Sequence, residues 1–162
     1  MKARSIAITL IVWLALMASL ACGNGDQGRF EQSGYTECSE CNLANADLRN
    51  LRYVDNVRVD LYWANLAKAN LSGANLNIAG LRRADLSGAD LSGANLTSAD
   101  LSGADLSGAN LTSADLAYAY LIGANLTDAD LTDTDLAGAN LKYVIGADFS
   151  GAQNVPVKYL KD

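Results

Sequence analysis

An all-β solenoid of stacked short coils, with no ordinary globular core, follows from three features of the chain. The unit Ala-(Asp/Asn)-Leu-x-x repeats without a register break from Val59-Asp60-Leu61 to Ala139-Asn140-Leu141, seventeen consecutive units. Units this short cannot bury their own apolar residues and must stack on one another. Leu recurs strictly every five residues and not at about 3.6, so an α-helix would spiral its Leu side chains around the axis. A plain strand fails as well, because five is odd and each unit would flip the face presented by the next. What accommodates a period of five is a coil that turns a corner in every unit. The composition agrees: half of the 162 residues are hydrophobic, mostly Ala and Leu, with fourteen Gly, one Pro and no His, and a single domain is expected.

Units such as Ala104-Asp105-Leu106-Ser107-Gly108 and Ala109-Asn110-Leu111-Thr112-Ser113 resemble the pentapeptide repeat family, over roughly residues 41–151. The resemblance implies a right-handed quadrilateral parallel β-helix with four units per coil. It also implies that the central Leu and the Ala two residues before it point inward while the other three positions face solvent. Leu would then fill the axis, and Ser, Thr, Gly, Asp and Asn would serve as turn residues. Each buried Leu should contribute roughly 2 kcal/mol. With coils about 4.8 Å apart, the repeat makes a rod on the order of 25 Å long.

Ahead of the rod, Met1-Lys2-Ala3-Arg4 is basic and Ile6 to Leu20 is apolar, ending in Ser19-Leu20-Ala21-Cys22. This is a secretory signal peptide (1–21), expected as a helix and too short for a good transmembrane span. Cys22 directly after Ala21 resembles a bacterial lipobox, which implies acylation of Cys22 as the mature N-terminus. The alternative is ordinary cleavage after Ala21, giving a soluble secreted or periplasmic protein. Gly-rich, polar residues 22–37 read as a flexible tether. Gly23 in place of Asp after Cys22 favours the outer membrane, on resemblance to bacterial lipoproteins.

Cys38-Ser39-Glu40-Cys41 opens an N-terminal cap and irregular loop (38–58). A disulfide, a redox-active pair and half of a metal site compete for it. Zinc would need two more ligands, and the chain has only Cys22 and no His. A thioredoxin-like role would want a βαβ context, which the repeat denies. Similar Cys-x-x-Cys-(Asn/Asp)-Leu openings occur in pentapeptide repeat proteins, so the resemblance implies a stabilising cap, with Cys38 and Cys41 a candidate disulfide in an oxidising compartment. Leu48 and Leu61 are thirteen residues apart, so an insertion lies within Arg49 to Arg58. This stretch carries Arg49, Arg52, Tyr53 and Arg58. The β-helix proper is read as 59–151. The register slips at Val144-Ile145-Gly146 and resumes at Ala147-Asp148-Phe149. The tail or cap (152–162), with Pro156, Lys158 and Lys161, reads as a protected edge that blocks end-to-end stacking, and a monomer is expected.

With four units per coil, positions twenty apart stack in columns. On the side centred on Leu61, Leu81, Leu101, Leu121 and Leu141 the outward positions include Tyr62, Trp63, Arg82, Arg83, Tyr120, Ile122, Lys142 and Tyr143. The other sides are dominated by Ser, Thr, Gly, Asp and Asn, with Lys68, Ile78 and Tyr118 as the main exceptions. Arg82 and Arg83 fall one coil from Tyr62 and Trp63, within reach of cation–π contact. Exposed aromatics and Arg are enriched at interaction hot spots, so this is the candidate partner-binding face. The competing expectation is that such columns only stabilise the rod from outside.

From Ala84 to Leu141 there are nine Asp and no Lys or Arg. Without Lys2 and Arg4 the mature chain carries 18 acidic against 10 basic residues, which disfavours nucleic-acid binding. Some pentapeptide repeat proteins are acidic rods that mimic DNA and inhibit gyrase. The export signal and the scattering of Asp over all sides argue against that decoy role, which stays the alternative function. Asp128, Asp130, Asp133 and Asp135 cluster late in the repeat, but the Gly-Gly-x-Gly-x-Asp calcium pattern is absent, and no metal or other cofactor is expected. Every Asp of the repeat is expected in the same solvated outward position, and with no His no catalytic constellation stands out. The sequence therefore points to a non-enzymatic scaffold or protein-binding module, held by a lipid in the bacterial cell envelope with a protein partner there.

Overall fold

Five residues give room for one inward Ala, one extended residue, one inward Leu and a two-residue turn, and that is what each unit forms. The computed structural model describes residues 42–45, 48–49 and 59–159. Parallel bridges join residues twenty apart, from Asp60 with Gly80 and Asn65 with Asp85 through to Asn125 with Ile145. One coil is therefore four units, and the rod has four sides, named here by their first Leu: Leu61, Leu66, Leu71 and Leu76. The β structure consists of single-residue bridges, because no side is long enough for a conventional strand. The only regular helix among the described residues is a 3₁₀ turn at Val157–Tyr159.

All five N–H groups of a consensus unit are satisfied, as Ala84–Gly88 illustrates. The Ala84 amide donates to Leu81 O at 3.1 Å, closing a β-turn. Asp85 N donates to Ala64 O of the preceding coil, while Leu86 N and Gly88 N donate to Asp105 O and Ser107 O of the following one. The last N–H, that of Ser87, points outward and is taken by the Asp85 carboxylate at 3.0 Å. This Asx turn explains why Asp or Asn precedes Leu in the repeat. Positive φ at the third turn residue alone, as at Gly88 (+64°) and Trp63 (+58°), marks the corners as type II turns.

Inside, the Ala and Leu columns form one continuous core, with Leu66 to Leu121 fully buried. Thr134 stands where the repeat has Ala, and its buried hydroxyl donates to Leu111 O at 2.8 Å. Only the last position of a unit faces fully outward; the positions on either side of Leu are mostly half-buried. The expectation of three solvent-facing positions is corrected accordingly, since Asx capping folds the side chain before Leu onto its own turn. Not every Asp shares one position either: Asp128 and Asp133 occupy left-handed corners, with φ of +57°.

Both ends break the twenty-residue register while the stacking continues. Asn42 pairs with Asn65, three residues more than the regular spacing, so three extra residues fall between Leu48 and Asp60. Asp135 pairs with Gln153, two residues fewer. The stacked part thus extends past 59–151 at both ends. Phe149, Val155 and Tyr159 pack against the core, and the Tyr159 hydroxyl donates to Asn140 Oδ1 at 3.2 Å, so the tail closes the last coil. The signal peptide, Cys22, the tether, Cys38, Cys41, Arg52, Tyr53, Arg58 and Lys161 lie outside the described residues.

Long side chains at left-handed corners lie over small neighbours one coil on. A β-carbon on Gly138 would sit 2.7 Å from the Tyr118 ring, and one on Gly103 would sit 3.4 Å from Arg83 Cγ. Gly138→Ala is therefore expected to destabilise by about 1–2 kcal/mol in urea unfolding, through both positive-φ strain and the ring clash. Adding Tyr118→Ala should recover only the part due to the ring.

The Asx caps also set a pH response. Thr132, first through its hydroxyl and then its amide, lowers the Asp130 pKa, and Ser150 does the same for Asp148. These carboxyls take up a proton less readily folded than unfolded, so their contribution is complete above the ordinary carboxylate pKa of about 4. It is lost as the pH falls through their lowered folded values. The thermal midpoint should hold from neutral pH to about pH 4 and decline below that, with a shallower decline in Asp130→Asn.

Candidate functional site

The repeat is most uniform at the residue before Leu, and its exceptions share one side. At every position in that column set from Asp60 to Asn140 the residue is Asp or Asn, except at Gly80 and Tyr120. Both belong to the Leu61 side, where Gly80 pairs with Asp100 and Asp100 pairs with Tyr120. At all the other turns in this run an Asp or Asn Oδ1 accepts the N–H two residues on. Gly80 and Tyr120 have no such oxygen. The outward amides of Arg82 and Ile122 accordingly make no hydrogen bond among the described residues.

This side also carries a shallow open groove of about 490 Å³. Arg82, Tyr120 and Ile122 line it as the sequence anticipated, together with Asp100 and Ser102. Ile78 and Ser98 line it too, and unit-by-unit sorting missed them. They belong to units of the Leu76 side, but a left-handed corner residue projects over the side that follows. Ile78 holds φ at +54°, a strained state for a β-branched residue. Asp100 Oδ1 accepts from the Ser102 amide and hydroxyl, and its Oδ2 lies 3.8 Å from Arg82 Nε.

The remaining predicted residues fall into two separate sets along the corner between the Leu61 and Leu66 sides. The Arg83 guanidinium sits 4.9 Å from the Trp63 ring centroid, and Tyr62 meets Trp63 edge-on at 5.8 Å. Lys142 stacks on its neighbour Tyr143 at 4.6 Å, and Tyr143 remains 71 % exposed. The structure thus divides the eight predicted face residues into a groove set, an Arg83–Trp63–Tyr62 cluster and a distant Lys142–Tyr143 pair. Three of the four carboxylates that invited a calcium reading accept hydrogen bonds instead: Asp130 from Thr132, Asp133 from Gln153, and Asp135 from Ala137 and Asn154.

The cation–π contact at an exposed site should be worth about 0.5–1 kcal/mol. Arg83→Ala in a Trp13→Phe background should leave the fold intact, shift Trp63 emission to the red and raise its quenching by acrylamide.

Residues 57–93, 79–112 and 109–152 match pentapeptide repeats, in 8 copies. No curated protein matches the chain. Among solved structures, the pentapeptide repeat protein Rfr23 of the cyanobacterium Cyanothece 51142 is 32% identical with a TM-score of 0.62, over 74% of this chain and 92% of that one. A pentapeptide repeat protein of Nostoc Pcc 7120 is 41% identical (TM-score 0.46), over 46% of this chain and 62% of that one. One from the Arabidopsis thaliana thylakoid lumen is 36% identical (TM-score 0.41), over 60% and 66%. Such neighbours imply the right-handed quadrilateral β-helix, whose four sides the twenty-residue pairing traces out. With its repeats matched from residue 57 to residue 152, its coils closed in fours and its Leu and Ala columns inside, the chain belongs to the pentapeptide repeat family.

Proposed function

We propose that this protein is a non-enzymatic scaffold or protein-binding module that is exported, lipid-anchored through Cys22 in the bacterial envelope, and engages a protein partner through its Leu61 side. Pentapeptide repeat proteins are generally structural or binding proteins and not enzymes. The observation that carries the reading is the concentration of departures from the repeat on one side. Gly80, Tyr120, Arg82 and Ile122 replace consensus residues there, Trp63 and Arg83 occupy strained corners beside them, and Tyr120 is 51% exposed. Support for the address is the basic and apolar leader ending in Ala21-Cys22.

The acidic-decoy reading rests on the nine Asp between Ala84 and Leu141. Most of these carboxylates cap turns of their own units, so their layout follows the repeat and is spread over all four sides. A decoy should respond to Asp→Asn changes and to salt, whereas a binding module should respond to changes on the Leu61 side.

Expression with the native leader, followed by intact mass and fractionation beside Cys22→Ser, tests the address. A diacyl or triacyl mass increment and membrane association, both lost in the variant, are expected; an unmodified cytosolic product would refute export. In the envelope fraction, Trp63→Ala with Arg83→Ala should abolish partner crosslinking while the thermal midpoint stays within a few degrees.

A further inference from the structure

We propose that the groove on the Leu61 side binds an acidic peptide segment, whose carboxylates replace the Asx caps missing at Arg82 and Ile122. The proposal deepens the binding-face reading and rests on it. Everywhere else from Asp60 to Asn140 the outward turn amide receives an Asp or Asn oxygen from its own unit. In the groove those two amides point outward with no acceptor among the described residues. The acceptor chemistry they lack is a carboxylate or carboxamide, and neighbouring charge selects between the two. Arg82 lies beside one amide, with its Nε 3.8 Å from Asp100 Oδ2 and its side chain 55% exposed. Arg83 adds a second positive charge at the same turn.

Long-range electrostatics favour the same occupant at this place. Of the nine Asp between Ala84 and Leu141, eight belong to units of the other three sides and one, Asp100, lines the groove beside Arg82, so an acidic ligand is repelled more by the other sides than by the one bearing Arg82 and Arg83. Geometry narrows it further. Gly80 and Tyr120 are two coils apart, about 10 Å at the usual spacing. A polyproline II segment rises about 3.1 Å per residue with three residues per turn, so its i and i+3 side chains share one face about 9 Å apart, and the matching pattern is (Asp/Glu)-x-x-(Asp/Glu) in that conformation. The intervening coil lines the groove with Ser98, Asp100 and Ser102, while Ile78 lies towards one end and Tyr120 and Ile122 at the other, where they fit an apolar side chain beside the carboxylates. Ile78, at a left-handed corner like that of every other unit, carries its side chain to the edge of the groove.

The test is isothermal titration of the full chain with a blocked Glu-Leu-Ala-Glu peptide and its Gln-Leu-Ala-Gln isostere. The acidic peptide should bind at least ten-fold more tightly than the isostere, and more tightly at 50 mM than at 500 mM salt. Gly80→Asn with Tyr120→Asn restores the repeat's own caps, so it should keep or raise the thermal midpoint while weakening the acidic peptide at least ten-fold. No binding of the acidic peptide at millimolar concentration, or equal binding by the double variant, would overturn the proposal. So would binding to phosphatidylglycerol vesicles without peptide binding, which would reassign the groove to a lipid headgroup. Partner crosslinking that still needs Trp63 and Arg83, with no response to the acidic peptide, would keep the binding face and remove this occupant.

Discussion

Turning a corner every five residues requires one residue per unit in the left-handed region, and the rest of the molecule depends on that turn. Once the corner is set, the Leu before it and the Ala after it point to the axis, and the amides on either side align with the coils above and below. The cost is lowest at Gly, and Gly fills many corners. It is highest at Trp63, Ile78, Arg83, Tyr118 and Tyr143, where bulky residues hold φ between +54° and +63°. Strain of this kind amounts to about 1–2 kcal/mol per residue. It persists because the intercoil hydrogen bonds and the Leu column on both sides over-determine the backbone.

The same turn creates the demand that Asp and Asn meet. A corner aims one N–H outward in each unit, away from the neighbouring coils, and the Asx oxygen takes it. Where Ser or Thr follows Leu its hydroxyl often joins the same oxygen, as at Ser87 and Thr97. Across coils, Asn110 donates to Asp90 and Asn125 to Asp105, so an Asn stacked on an Asp turns charge repulsion into a hydrogen bond. The acidic surface is thus mainly a structural consequence of turn chemistry, with solubility as a by-product. A repeat so regular makes its exceptions informative: at Gly80 and Tyr120 the turn survives while its cap is withdrawn.

Those exceptions lie on a single side because function and folding draw on different positions of the unit. Inward Ala and Leu cannot vary without a cavity or a clash, so variation is confined to the outward residues, and columns twenty apart let single substitutions add up to a surface. Arg83 over Trp63 and the groove between Gly80 and Tyr120 are neighbouring parts of one such surface. It contrasts in charge and polarity with three sides built from Ser, Thr, Asp and Asn.

The sequence by itself determined the stacked architecture, the inward columns, the two register slips and the side on which Tyr62, Trp63, Arg82 and Tyr120 gather. All of these follow from a period of five counted along the chain. It also anticipated the Arg83–Trp63 contact, because twenty residues of separation means one coil. Only the tertiary structure decided that Ile78 and Ser98 line the groove with Tyr120, because a left-handed corner throws its side chain over the following side, which counting within a unit does not reveal. It also decided that Asp and Asn before Leu are mostly half-buried caps, that the Tyr118 ring lies against Gly138, and that the Arg82 and Ile122 amides are left open. The physical reason is common to these cases: periodicity along the chain assigns a residue to a column, but the direction of its side chain and the partner of its amide are set by the corner geometry and by the coil stacked against it.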